Sequence, residues 1–232
     1  MKTLDELRSD IKEILNTEWK TREGRVVPET SDIKLGNDAV ELDGTVLYAD
    51  MADSTGLVMG YKDWFAAEIY KVYLKSACEI IKNNDGVITA FDGDRVMAVF
   101  IGESKNTSAA KAALQINYVV RKVINAEIKN HYTTTSFQLE QAVGIDTSKL
   151  FVARTGVRGS NDLVWVGRAA NYAAKLCDLR LNSYSSFITQ EVFDKLHDSA
   201  KFGGEEKKSM WEKVYWEDRG ISVYRSSWWW QP

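Results

Sequence analysis

The stretch Thr45-Val46-Leu47-Tyr48-Ala49-Asp50 is a short apolar run that ends in a carboxylate. Its aliphatic and aromatic residues predict a β-strand with Asp50 at the exit. A second acidic site follows in the turn Asp92-Gly93-Asp94-Arg95, where the Asp-Gly pair favours a tight hairpin. Taken singly, each acid is better explained as an ordinary turn residue. The elements around the two acids therefore decide their interpretation.

Those elements alternate between strand and helix patterns. Apolar residues at helical spacing predict two helices, over Trp64–Ile81 and Ala109–Ile128. Strand-like runs are predicted over Val87–Phe91, Val96–Ile101 and Phe137–Asp146. The resulting order, β-α-β-β-α-β, is the ferredoxin-like arrangement, so we expect an α+β fold with extra strands and helices around that core. In this topology the first strand lies beside the hairpin, which brings Asp50 close to Asp94.

The N-terminal segment predicts a further helix. Apolar residues recur there at helical spacing in a charged background, at Leu4, Leu7, Ile11 and Ile14, and Glu18 continues the spacing. The stripe needs a surface to pack on, which is either a partner subunit or its own domain. Pro28 and the polar pair Asn37-Asp38 mark a boundary. We therefore divide the chain into an N-terminal helix and linker, residues 1–40, and a main domain, residues 41–232.

Three motifs resemble those of the class III nucleotidyl cyclases. Tyr48-Ala49-Asp50-Met51-Ala52-Asp53-Ser54-Thr55-Gly56 is similar to the first metal motif of the family and Phe91-Asp92-Gly93-Asp94-Arg95-Val96-Met97-Ala98 to the second. The stretch 164–175, Val-Trp-Val-Gly-Arg-Ala-Ala-Asn-Tyr-Ala-Ala-Lys, resembles the motif that carries the transition-state asparagine. The resemblance covers about residues 45–188. It implies that residues 41–232 form a cyclase catalytic domain.

The resemblance implies a role for each residue of the first two motifs. Asp50 and Asp94 would ligate two divalent cations, Mg²⁺ or Mn²⁺, with the main-chain carbonyl of Met51 as a further ligand. One ion would activate the ribose 3′-hydroxyl for attack on the α-phosphorus, and the other would hold the departing pyrophosphate. The main-chain amides of a short turn would hold the β- and γ-phosphates, at Ala52, Asp53, Ser54 and Thr55.

The third motif supplies a polar pair. Asn171 and Lys175 are four residues apart, so they lie on one face of a helix about one turn apart. The resemblance implies that Asn171 orients the ribose and that Lys175 meets the charge that develops on the phosphate. The family usually has arginine at the second position, and lysine offers a point charge without the bidentate fork. Alone, Asn171 is also explained as a helix cap or an exposed polar residue.

In class III cyclases the metal acids and the asparagine of one site come from different subunits. This chain carries both halves. The resemblance therefore implies a homodimer with two equivalent, shared sites.

Substrate choice is where the chain departs from the family pattern. Purine-specific members read the base with polar side chains at positions that are Ala90 and Val164 here, and neither side chain can hydrogen-bond. Large side chains stand nearby in the motifs instead, at Tyr48, Arg95 and Trp165. They would reduce the base pocket to a single ring, although Tyr48 and Trp165 are equally explained as core aromatics. Arg95 offers only donors, which suits the acceptors of uracil; Asp92 would suit cytosine, so UTP is favoured and CTP stays open.

Together with Val27-Pro28 and the stretch 35–40, Leu-Gly-Asn-Asp-Ala-Val, this pattern resembles the pyrimidine cyclases of bacterial anti-phage defence, the Pycsar cyclases. The resemblance implies that the chain makes cyclic UMP as a second messenger for a separate effector protein. Alternatives are a cytidylate cyclase, an adenylate cyclase, and a cyclase-like dimer that senses nucleotides without catalysis.

Composition excludes several other classes. The net charge of −3 gives no basic field for binding nucleic acid polymers. No apolar run approaches the roughly 18 residues of a membrane span, and no signal peptide is recognised. Cys78 and Cys177 fall on apolar faces of predicted helices, as buried thiols of a reducing compartment do. We expect a cytoplasmic protein.

The C-terminal region allows fewer assignments. Residues 214–216 and 221–224 predict a hairpin. The resemblance implies a triphosphate-binding cation in this region, for which Lys213 and Arg219 are both candidates. The run Trp228-Trp229-Trp230 either docks on a partner or packs on its own domain.

Overall fold

The computed structural model describes residues 2–180 and 183–232. Eleven strands are found there: β1 (Lys20–Glu23), β2 (Asp38–Met51), β3 (Val87–Asp92), β4 (Arg95–Phe100), β5 (Gln141–Val157), β6 (Ser160–Val166), β7 (Ser186–Thr189), β8 (Phe202–Gly203), β9 (Lys208–Ser209), β10 (Glu212–Trp216) and β11 (Ile221–Ser226). The same residues form eight α-helices: α1 (Leu4–Asn16), α2 (Ser54–Gly60), α3 (Asp63–Asn83), α4 (Lys105–Tyr118), α5 (Asn125–His131), α6 (Arg168–Leu176), α7 (Gln190–Asp194) and α8 (Asp198–Lys201).

The chain forms two compact units, residues 1–43 with 149–167 and residues 44–148 with 168–232. In the second unit the sheet strands follow the order β10-β11-β7-β5-β2-β4-β3. The pairs β2–β4 and β3–β4 are antiparallel, and β5 pairs with β7 in parallel. This is the α+β, ferredoxin-like core that the order of elements predicts, extended by β7, β10 and β11.

The core of the second unit lies between the sheet and its helices. Buried side chains of α3 and α4 pack there against β2, β4 and β5, with Tyr73 and Phe100 among the largest. The other face of the sheet carries a smaller cluster around Ala142, Cys177 and Trp216, against which Tyr48 and Tyr172 pack. Tyr48 and Leu47, neighbours on β2, therefore point to opposite faces.

The first unit contains α1 and two strand pairs. Its β1 runs parallel to residues 38–41 of β2, and its β6 pairs antiparallel with residues 151–157 of β5. Helix α1 begins with a capping box at Thr3 and Glu6, which explains why the helix starts there. None of its residues is buried, and Leu4, Leu7, Ile11 and Ile14 are all exposed.

Several element boundaries differ from the sequence-based expectations. The helix predicted over Ala109–Ile128 begins at Lys105 and is interrupted by a π-helical segment, Val119–Ile124. The strand predicted from Phe137 begins at Gln141 and runs on to Val157. Glu18 was expected to continue the N-terminal helix, but α1 ends at Asn16 because Thr17 is extended and caps the carbonyl of Glu13.

The tryptophan run at the C-terminus packs on its own unit. The main-chain amide of Trp230 donates to the carbonyl of Leu114 at 3.0 Å, and the Asn117 side chain donates to the carbonyl of Trp228 at 2.7 Å. The Trp229 ring lies 5.4 Å from that of Tyr118. Of the two alternatives for this run, the structure therefore shows packing on its own unit.

Within residues 2–180 and 183–232, every helix is too short or too polar to cross a lipid bilayer.

Candidate active site

The pairing of β2 with β4 positions the two predicted metal acids. Asp50 on β2 is the register partner of Arg95 on β4. Asp94 directly precedes Arg95 in the chain and lies in the turn between β3 and β4. Gly93 adopts a positive φ of 60°, which the tight turn requires. The two acids thus lie next to each other at one end of the sheet, as the ferredoxin-like order predicts.

Two arginines neutralise the buried carboxylate of Asp50. Its Oδ2 accepts a hydrogen bond from Nη2 of Arg95 at 3.0 Å and another from Nη2 of Arg180. The Asp50 side chain is only 6% exposed, so an unpaired charge there would be costly. The contact with Asp50 also raises the pKa of Arg95. Asp50 is therefore held in place between two cationic side chains.

Tyr48 and Arg95 form one wall beside Asp50. The Arg95 guanidinium lies 5.8 Å from the centre of the Tyr48 ring, within cation–π range. Burial raises the pKa of the Tyr48 phenol, which therefore stays protonated near neutral pH. Sγ of Cys177 donates to the carbonyl of Tyr48 at 3.4 Å, and burial raises the pKa of this thiol to about 12. Cys177 is thus a packing residue and no nucleophile.

A turn after β2 carries the predicted phosphate-binding amides. Asp53 caps α2 from a left-handed conformation, with φ of 52°, and its carboxylate accepts from the Gly56 amide at 3.1 Å. Ser54 and Thr55 form the first turn of α2. The Ala52 amide donates instead to the carbonyl of Glu140 at 2.8 Å, so it is already used within the chain.

Helix α6 presents the predicted asparagine–lysine pair outward. Asn171 and Lys175 are both exposed, whereas Ala169, Ala173 and Leu176 on the other side of α6 are buried. The pair therefore faces away from the core of its own unit.

Arg168 anchors the start of α6. Its guanidinium donates to the buried Asp146 at 3.0 and 3.2 Å, to the carbonyl of Thr147 at 2.9 Å, and to Glu191. Oγ1 of Thr189 also donates to Asp146, at 2.5 Å. Burial raises the pKa of Asp146, although Thr189 and Arg168 act against that shift. The network fixes the direction in which α6 leaves the sheet.

We expect Arg168→Ala to lower the free energy of unfolding by about 2 kcal/mol, because the buried Asp146 carboxylate loses two hydrogen-bond donors. Solvent screening of the partly exposed Arg168 keeps the loss below that of a fully buried ion pair. Urea denaturation measures the change. Arg158→Ala, an exposed arginine in the turn before β6, is the control and should shift stability by less than about 0.5 kcal/mol. A loss no larger than that of the control contradicts the anchoring role.

The acidic end of the sheet has ligands suited to a divalent cation. In the described parts of the chain, no three His, Cys, Asp or Glu side chains come together as a metal-binding group. Mg²⁺, however, is commonly held by one or two carboxylates together with substrate phosphates. Asp50 and Asp94, with the Met51 carbonyl, supply hard oxygen ligands of that type. The two guanidinium groups on Asp50 show that this position already attracts positive charge.

Trp165 belongs to the first unit, where it lies half-buried on β6 opposite Val152 of β5. The two candidate triphosphate cations lie against aromatic rings of the second unit. The Lys213 amine is 5.9 Å from the Tyr224 ring centre, and the Arg219 guanidinium is 5.9 Å from that of Trp216.

The sequence did not predict the roles of two arginines, Arg180 and Arg168. Arg180 follows the short 3₁₀ turn Cys177–Leu179 and reaches Asp50 across 130 positions of sequence, which no local spacing indicates. Arg168 lies within the third motif, but its partner Asp146 is 22 residues away. The only available signal was an arginine at the first position of the helix that carries the predicted asparagine–lysine pair.

A ferredoxin-like sheet with paired acids beside a hairpin turn and an outward asparagine on α6 is the architecture of a nucleotidyl cyclase. Comparison with solved structures agrees with this fold. The guanylyl cyclase Cya2 superposes with a TM-score of 0.67 at 16% identity over 83% of this chain and 95% of its own. The non-canonical dimeric guanylyl cyclase domain of the RhoGC fusion protein from Blastocladiella emersonii superposes with a TM-score of 0.63 at 13% identity, over 80% and 97% of the two chains. At such identities the likeness shows the fold alone.

Sequence comparison identifies the family. A uridylate cyclase from Xanthomonas perforans is 52% identical over 229 residues, covering 98% of this chain and 97% of that protein. A uridylate cyclase from Burkholderia cepacia is 47% identical over 232 residues, covering 99% of both. No family model matches the chain. The chain belongs to the uridylate cyclase family and is a nucleotidyl cyclase. The resemblance to class III cyclases is confirmed.

Proposed function

We propose that the protein converts UTP to 3′,5′-cyclic UMP and pyrophosphate, with two divalent cations, at two sites shared between the subunits of a homodimer. The observation that carries this proposal is the site around Asp50, where a buried carboxylate, Arg95 and Tyr48 meet beside the hairpin turn with Asp94. Full-length relatives of this chain are named uridylate cyclases, which supports the choice of nucleotide.

In this proposal the carboxylates and main-chain groups at the sheet end bind the triphosphate. Asp50, Asp94 and the Met51 carbonyl would hold Mg²⁺ or Mn²⁺, which when bound supplies charge stabilisation to the attacking and leaving oxygens. The amides of Asp53, Ser54 and Thr55 in the turn that opens α2 would contact the phosphates. The Ala52 amide already donates to the carbonyl of Glu140, so Ala52 would form part of this turn without donating to a phosphate.

The paired arginines on Asp50 have a consequence for substrate binding. Arg95 and Arg180 both donate to Oδ2 of Asp50. Binding of cations at Asp50 would release at least one guanidinium, because like charges repel at such distances. Arg95 would then be free to donate to the O2 or O4 acceptors of uracil, while it stays beside the Tyr48 ring.

The homodimer completes the reaction. Asn171 and Lys175 lie on the exposed side of α6, and we assign them to the site of the partner subunit. There Asn171 would orient the ribose by hydrogen bonding, and the Lys175 ammonium would stabilise the negative charge that grows on the α-phosphate. Solved structures of this fold include a dimeric guanylyl cyclase domain, which supports the proposed assembly.

The biological role we propose is second-messenger synthesis in anti-phage defence, with a separate effector that responds to cyclic UMP. The proposed setting is the cytoplasm. Both cysteines are free thiols, one buried and one half-buried, which is compatible with a reducing compartment.

We expect two variants to change base selection in different ways. Tyr48→Ala opens the wall beside Asp50 and should raise kcat/KM for ATP relative to UTP about 10-fold, because a purine then fits. Arg95→Ala should lower kcat/KM for UTP relative to ATP by about 10-fold, since a buried base edge loses its donor. Comparing kcat/KM for the four NTPs measures both ratios.

The ratio of kcat/KM values between nucleotides separates recognition of the base from metal binding. If Arg95→Ala only disturbed Asp50 and its cations, kcat/KM would fall equally for all four NTPs. Tyr215→Ala and Arg158→Ala change an exposed tyrosine and an exposed arginine and should leave the ratios unchanged. An Arg95→Ala enzyme with the wild-type preference for UTP removes Arg95 from the recognition of the base.

A further inference from the structure

A polar cavity of about 400 Å³ opens in the second unit, apart from the wall formed by Tyr48. It is lined by residues of α4, the π-helical segment, the start of β5 and the segment before β7, including Arg121, Gln141, Arg180 and Ser185. Its size suits a small organic ligand.

The cavity lies on the opposite face of the sheet from the base-binding wall. Gln141 and Val143 are two residues apart on β5 and share a face, and Val143 packs in the core with α3 and α4. Tyr48 packs in the smaller cluster on the other face, with Ala142 and Cys177. Asp50, two residues after Tyr48, shares that second face. The cavity therefore lies across the sheet from the base-binding wall, and it meets the candidate active site at Ala52, in the turn after β2, and at Arg180, which donates to Asp50.

Polar atoms in this cavity lack partners. The Gln141 side chain is 93% buried, and neither its Nε2 nor its Oε1 has a hydrogen-bond partner in the described structure. Oγ of Ser185, equally buried, also has none. Buried polar groups are almost always paired, so an unpaired amide and hydroxyl beside one cavity indicate a ligand that satisfies them.

The charges around the cavity favour an anion. The guanidinium-bearing residues Arg121 and Arg180 line it, opposed by the single exposed carboxylate of Glu140. Arginine is the side chain best suited to phosphate, which it binds through paired N–H donors. The side-chain amide of Gln141 has an unpaired N–H donor and an unpaired carbonyl acceptor. A ligand satisfies both when it presents an acceptor beside a donor, as the edge of a nucleobase does.

We propose that this cavity binds a nucleoside monophosphate as an effector site. Arg121 and Arg180 supply the positive charge for the phosphate, and Gln141 pairs with the edge of the base. Arg180 is also a partner of Asp50. A phosphate in the cavity competes for this guanidinium and frees the Asp50 carboxylate, so effector binding and cation binding at Asp50 favour each other. This second step rests on the proposed function.

Binding is tested by isothermal titration of the full-length protein with 5′-UMP in EDTA, which removes cations from the active site. We expect Gln141→Leu and Arg121→Ala each to weaken 5′-UMP binding at least tenfold. Lys122→Ala, which removes a cation from the same π-helical segment but does not line the cavity, is the matched control and should bind as the wild type does. Uridine and inorganic phosphate alone should bind at least tenfold more weakly than 5′-UMP.

Three results overturn the site: no 5′-UMP binding at millimolar concentration, unchanged binding in both cavity variants, or loss of binding in Lys175→Ala but not in Arg121→Ala. Arg121 is exposed, so we expect Arg121→Ala to fold. This variant therefore tests the site even if Gln141→Leu does not fold.

The link through Arg180 is tested by Mn²⁺ binding, followed by electron paramagnetic resonance. Saturating 5′-UMP should tighten Mn²⁺ binding at least threefold in the wild type and leave it unchanged in Arg180→Ala. If Mn²⁺ binds but 5′-UMP has no effect in the wild type, the link is wrong. If Mn²⁺ does not bind at all, the proposed two-metal function fails instead.

Discussion

Asp50→Ala and Asp94→Ala are each expected to lower turnover of UTP by at least about 10³-fold, the scale on which enzymes lose a group that stabilises transition-state charge. The reason is structural. Asp50 is buried, with two guanidinium groups on one of its oxygens, and Asp94 lies in the adjoining turn. Among the described residues, no group of three His, Cys, Asp or Glu side chains could replace them.

The loss must come from the site and not from unfolding. Asp50→Ala leaves Arg95 and Arg180 without their shared partner, so circular dichroism and a thermal melt accompany each rate measurement. Asp50→Asn keeps the shape of the side chain and should be nearly as inactive. Glu103→Ala changes an exposed acid of the same unit and should retain wild-type turnover. A folded Asp50→Ala enzyme with wild-type turnover contradicts the two-metal proposal.

Mixed dimers give the second large effect. An Asp50→Ala subunit and an Asn171→Ala subunit are each expected to be inactive as homodimers. After co-expression, half of the dimers carry both kinds of subunit, and each such dimer has one site with no substitution. About one quarter of the wild-type activity should therefore return, as the symmetry of a shared-site dimer requires.

The heterodimers are then isolated with two different affinity tags, and this purified species, with one unsubstituted site of two, should have about half of the wild-type activity. Pairing Asp50→Ala with Asp94→Ala is the control. Both changes then affect the same half of the site, and every mixed dimer should stay inactive. Isolated Asp50→Ala/Asn171→Ala heterodimers without activity would show that the two halves do not come from different subunits.

The central strands were predictable because local pattern and topology agree. The run that ends at Asp50 and the hairpin around Gly93 have side chains that suit only paired strands, and their order leaves one arrangement for the sheet. That arrangement puts Asp50 in register with Arg95, next to Asp94. The outward position of Asn171 and Lys175 likewise follows from their spacing, because buried alanines fill the other side of α6.

The remaining features depend on contacts between distant residues. Helical spacing alone does not reveal the π-helical segment Val119–Ile124, because the buried residues Val120, Ile124 and Ile128 recur every four residues through it and beyond it. The pairing of Arg180 with Asp50 and of Arg168 with Asp146 depends on how the backbone brings separate elements together. The unpaired amide of Gln141 is visible only when its whole surroundings are known.

The measurement that tests the proposed function most directly is a product analysis with each nucleotide. Purified wild-type protein is incubated with Mn²⁺ or Mg²⁺ and each of the four NTPs, and the products are resolved by chromatography. We predict cyclic UMP and pyrophosphate from UTP, with CTP as the nearest competitor and little product from ATP or GTP. Preferential formation of cyclic AMP, or no cyclic nucleotide from any of the four, would contradict it.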